Sequence, residues 1–187
     1  MPYGVKLEKV KAAFKSNDEQ LLEAIKKTSV YDCYASQSGS RSVSTGQALQ
    51  QMIFGEAYDK TCADTYGYAL IALVAYLGEN LTPEGDVFKI GSVNTEIENV
   101  LAGVGLSVSF ERDMFGEFYY FGLPGNPDFP IIGGISENSL LYYQKALEQV
   151  NFSTEDLQKQ GVEEAMIFKR AVNYCVDNDL NWITFAH

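Results

Sequence analysis

Thr65-Tyr66-Gly67-Tyr68-Ala69-Leu70-Ile71-Ala72-Leu73-Val74-Ala75-Tyr76-Leu77 is the stretch that decides the fold. It carries no charge. Tyr66, Ala69, Leu70, Leu73, Val74 and Leu77 recur at helical spacing, and Ile71, Ala72, Ala75 and Tyr76 fill the remaining faces. A helix that is apolar all round must be covered on most sides. The run ending at Gly78 is too short to span a bilayer. It is therefore predicted as the buried central helix of a soluble domain, with Leu70 and Leu73 inaccessible. Gly78 and then Pro83 end it.

Elements of both kinds extend outward from this helix. On its N-terminal side, Ser44-Thr45-Gly46-Gln47 is a capping-box pattern. It precedes a helix that packs Ala48, Leu49, Met52 and Ile53, and Gly55 is placed to close that helix in the left-handed conformation. Residues 31–44 are expected to be a loop, because the Ser-rich run 36–42 has no apolar anchor. Asn17, with Gln20 three residues on, is expected to cap a helix carrying Leu21, Leu22 and Ile25. A short strand at 3–7 and a helix with Leu7, Val10 and Phe14 precede it. On the C-terminal side a short strand is expected at 87–90. Ser92 or Asn94 then caps a helix with Ile97, Val100, Leu101 and Val104 inward. Alternation predicts a hairpin of strands at 106–110 and 117–123. Ser136 caps a helix running to Val150, residues 162–176 form a second strong helix, and 181–186 a closing strand. The expectation is a single α+β domain over residues 1–187, with about six helices around a small, mostly antiparallel sheet.

Composition narrows the function classes. Of the 187 residues 46% are hydrophobic and 21% charged, values for a folded globule. The net charge is −11. It is concentrated in residues 31–140, where Arg41, Lys60, Lys89 and Arg112 face 14 acids, a net of −10. A field of this sign repels nucleic acid and anionic lipid and attracts a cationic partner. No leader pattern opens the chain, and three scattered cysteines suit a reducing compartment, so a cytoplasmic protein is expected.

Catalytic motifs are sparse. The one histidine is His187. Cys33, Cys62 and Cys175 form no C-x-x-C pair and no cluster with histidine, so neither a metal site nor a cofactor is expected. Cys175 falls on the apolar stripe of its helix and is expected in the core. Gly103-Val104-Gly105 follows a helix and lacks the third glycine of a dinucleotide fingerprint. The carboxylate pairs Asp59 with Asp64, and Asp113 with Glu117, are candidates for hydrolase chemistry, which needs two carboxyls facing across a cleft. With 25 acids in the chain, chance pairs are expected, and no catalytic residue is assigned.

Tyrosines beside acids are the more suggestive pattern. Tyr31 and Tyr34 flank Asp32. Tyr66 and Tyr68 follow Asp64. Tyr119 and Tyr120 follow Glu117, with Asp113 in the preceding turn. Mixed Tyr and acid surfaces suit recognition of a basic protein, because rigid rings supply contact area and the acids steer association. The candidate partner-binding residues are Tyr31, Asp32, Tyr34, Asp64, Tyr66, Tyr68, Asp113, Glu117 and Tyr119.

Several stretches resemble the YfbM-like proteins and related uncharacterised bacterial families of unknown function. They are Gly4-Val5, Ala48-Leu49-Gln50-Gln51-Met52-Ile53-Phe54-Gly55-Glu56, Tyr66-Gly67-Tyr68-Ala69-Leu70 and Asp128-Phe129-Pro130-Ile131-Ile132-Gly133. The resemblance implies a single α+β domain, no transferable catalytic residues, and an accessory binding role such as toxin neutralisation. The leading expectation is thus a protein-binding domain, an immunity protein that occludes a basic toxin. The alternatives are a carboxylate-based hydrolase and a self-associating accessory subunit. The sequence sets neither the partner nor the oligomeric state.

Overall fold

The protein has an α+β fold. The computed structural model describes residues 1–36, 41–82, 92–110, 112, 121–125, 130–152 and 159–186. Four strands form one antiparallel sheet in the order β2–β1–β4–β3. They are β1 (Pro2–Val5), β2 (Glu79–Asn80), β3 (Ile131–Ile135) and β4 (Asn181–Ala186). Eight helices are delimited among the described residues, two more than expected. They are α1 (Leu7–Ala13), α2 (Glu19–Ile25), α3 (Ser29–Ala35), α4 (Thr45–Phe54), α5 (Ala63–Leu77), α6 (Ser92–Gly103), α7 (Glu137–Leu147) and α8 (Lys159–Asp177). No described helix is long and apolar enough to cross a membrane.

The chain divides into two compact units, each assembled from separate stretches. One comprises residues 5–79, 118–132 and 185–187. Its axis is α5, which packs against α1, α2, α3 and α4. Ala69 to Val74 are all fully buried, as an all-apolar helix requires. Gly67 lies against Pro130 so closely that a Cβ there would stand 2.5 Å from the proline Cγ. In α4 both halves of the capping box form: the Gln47 N–H donates to Ser44 Oγ and the Ser44 N–H to Gln47 Oε1. Gly55 closes α4 at φ +70.

The other unit comprises residues 1–4, 80–117 and 133–184. Here α8 packs against α6 and α7 around a core that includes Phe110, Phe168 and Trp182. Cys175 is fully buried in it. Burial pushes its thiol pKa up to about 12 from an ordinary 9.0.

Three local expectations are corrected. Residues 31–35 are helical, because the Thr28 hydroxyl accepts the Tyr31 N–H at 3.2 Å and nucleates α3. The cap of α2 is Asp18, whose carboxylate accepts the Leu21 N–H at 2.9 Å; Asn17 takes a left-handed φ of +56. Residues 106–109 form no strand. Leu106, Val108 and Phe110 do turn inward alternately, but no sheet ladder holds them. The Phe110 N–H donates to the Glu98 carboxylate at 2.7 Å. The partner strand expected at 117–123, the strand at 87–90 and His187 lie wholly or mostly outside the described residues.

Candidate functional site

The first two Tyr and acid clusters meet in the unit built on α5. Tyr31, Asp32 and Tyr34 ride on α3, and Asp64, Tyr66 and Tyr68 occupy the first two turns of α5. The two helices pack together. At their contact Tyr34 stacks on Tyr68, with centroids 5.5 Å apart and planes 18° from parallel. Tyr34 is buried, Tyr68 and Tyr31 half-buried, and Asp32 exposed. Tyr31, Asp32, Asp64 and Tyr68 are therefore the members that solvent reaches, while Tyr34 supports Tyr68 from behind.

Tyr66 faces inward and is fully buried. Its hydroxyl donates to Gln51 Oε1 on α4 and accepts the Asp59 N–H at 2.8 Å. Burial raises the Tyr66 phenol above its usual range. Its role is to join α4, α5 and the turn before α5. Asp113, Glu117 and Tyr119 lie outside the described residues.

The turn before α5 is ordered by Asp59. Its carboxylate accepts the Thr61 hydroxyl at 2.7 Å, the Thr61 N–H at 2.9 Å and the Ser42 hydroxyl at 3.0 Å. These bonds, those from Thr61 first, hold Asp59 below the usual carboxylate range. Asp64 lies in the first turn of α5, where a helix end favours a negative charge. It pairs with Arg41, Nη2 to Oδ2 at 2.7 Å.

Cys62 lies outside the pattern of tyrosines beside acids. It occupies the N-cap of α5. Its Sγ lies 3.1 Å from Ser42 Oγ, and it is 2% exposed, although its neighbours Ser42 and Thr61 are themselves exposed. The Ser42 hydroxyl, ahead of a bond to the Val43 backbone, lowers the thiol pKa. Cysteine is not a capping type, and the apolar periodicity starts at Thr65, so no sequence signal marked this position.

In the other unit a groove of about 560 Å³ runs between Val100 and Val104 on α6 and Gln149 to Asn151, beyond α7. Among the described residues Glu96 is its one acidic lining residue, and none of the described candidate residues borders it.

The family model of a domain of unknown function, DUF7691, matches residues 1–187. No curated protein and no solved structure matches the chain. The YfbM-like resemblance is not among the matches; the family that is shown is DUF7691.

Proposed function

The chain belongs to the DUF7691 family, a family of unknown function, and from its own surface we propose that it is a protein-binding domain that engages a basic protein. The form of that role we favour is an immunity protein that covers the cationic active site of a toxin. One observation supports the reading: α3, which carries Tyr31 and Asp32, packs against α5, whose start carries Asp64 and Tyr68, with Tyr34 stacked on Tyr68 between them. Rigid half-buried rings beside carboxylates supply the residue types that dominate interface energetics. The net charge of −11 supplies long-range steering toward a cation.

The hydrolase alternative draws less support. A two-carboxylate hydrolase needs one carboxyl held protonated, hence a raised pKa. Asp59 is shifted the other way, and its sequence partner Asp64 sits against Arg41.

The test is capture of a binding protein from cells that carry the gene, followed by association kinetics at low and high salt. Asp32→Lys should slow association more than it speeds dissociation, and Tyr31→Ala should do the reverse. Capture of no protein, or binding of an acidic protein with no salt dependence, overturns the reading.

A further inference from the structure

We propose that Asp64 and Tyr68 form an arginine-binding site that the chain's own Arg41 occupies until an arginine of the basic partner replaces it. The inference rests on the protein-binding reading above and names the group that the partner inserts.

The geometry has three parts. First, Asp64 and Tyr68 are four residues apart on α5, so the helix presents them on one face. Tyr34 covers one side of the Tyr68 ring, and Tyr68 itself remains half-buried. A carboxylate beside a backed aromatic ring suits a guanidinium, which pairs in its plane and stacks through its face. Second, the present contact uses one prong. Arg41 Nη2 meets Asp64 Oδ2 at 2.7 Å. An incoming arginine in forked geometry engages both oxygens, which a single contact does not. Third, the occupant is held from outside. The Arg41 side chain is 54% exposed, against 23% for Asp64. The chain next to it is fixed without it, because Ser42 bonds to Asp59 and Val43 is buried. Arg41 can therefore leave Asp64 while the segment stays in place, and exposed ion pairs of this kind hold weakly.

Self-occupancy has a measurable signature. A site filled by an internal competitor binds an external ligand with an affinity reduced by the fraction of time it is open. The experiment titrates the full chain with methylguanidinium and, separately, methylammonium, which carries the same charge without the fork. NMR follows the Asp64 carboxyl carbon and the Tyr68 ring. In Arg41→Ala the methylguanidinium midpoint should fall by about threefold or more relative to the natural chain. Methylammonium should act only at higher concentration, and Asp64→Asn placed on Arg41→Ala should abolish the response. If Arg41→Ala does not fold, Arg41→Gln is read in the same way. Equal midpoints with and without Arg41, or equal responses to the two cations, overturn the proposal. A chain that shows the guanidinium response but captures no basic protein keeps this site and loses the protein-binding reading. Capture of a basic protein whose binding ignores Asp64→Asn does the opposite.

Discussion

Ser42 sets its hydroxyl 3.1 Å from Cys62 Sγ and lowers that thiol, while Cys175, walled in by apolar side chains, is pushed up to about 12. One residue type thus titrates in opposite directions within one chain. Ser42→Ala should raise the Cys62 pKa, read from thiolate ultraviolet absorbance against pH; no change would remove Ser42 as the cause. Cys175 also sets a stability window. Its folded value lies above the unfolded 9.0, so its contribution is complete below pH 9 and is lost as pH climbs to about 12. The raised phenols of Tyr3, Tyr58 and Tyr66 act in the same direction. Chemical denaturation across this range should show stability falling with pH, and Cys175→Ala should flatten the fall. Tyr66→Phe removes the hydroxyl that joins Gln51 to the Asp59 N–H and should cost about 1–2 kcal/mol in urea unfolding.

Elements were legible in the sequence wherever one local signal sufficed. The Ser44 capping box, the Gly55 stop, the buried α5 and the stripe of α8 needed only spacing and chemistry within one segment. α3 was missed because a seven-residue helix has little periodicity and Thr28 has no Glu or Gln at the third helical position to mark it. The alternation of 106–110 reported correctly which side chains are buried but not what the backbone bonds to. The site was legible as residue types and illegible as a place. Tyr34 meeting Tyr68, and Arg41 meeting Asp64, are contacts between segments far apart in sequence, which no local pattern encodes. Two substitutions probe the helices. Leu73→Ala should cost about 2–5 kcal/mol, because α5 is enclosed and the cavity cannot collapse. Gly103→Ala, where a Cβ meets nothing within 4 Å, should stabilise the end of α6 by about 0.5–1 kcal/mol in the same assay.

At the scale of the whole molecule the net charge of −11 acts on stability as well as on partners. Like charges repel in the compact state, and salt screens them. The unfolding midpoint should therefore rise with added sodium chloride; a fall would mean that attractive pairs such as Arg41 with Asp64 outweigh the repulsion. All three cysteines are free thiols, so a reductant should leave the midpoint unchanged.

Gly67 carries one more consequence. Its missing side chain is the room into which the Pro130 ring fits, 2.5 Å from where a Cβ would stand. The other nineteen amino acids are thus barred from this position by volume, although a glycine has no side chain to bond or to meet a partner. Saturation mutagenesis scored by soluble yield should return only glycine at 67. Pro130→Ala, which deletes the obstructing ring atoms, should make Gly67→Ala tolerable, and a failure of that rescue would show that the obstacle is something other than the proline. Relatives that keep a glycine here would be recording a steric debt to a distant proline, and a survey of invariant residues that took it for part of a binding surface would be misled.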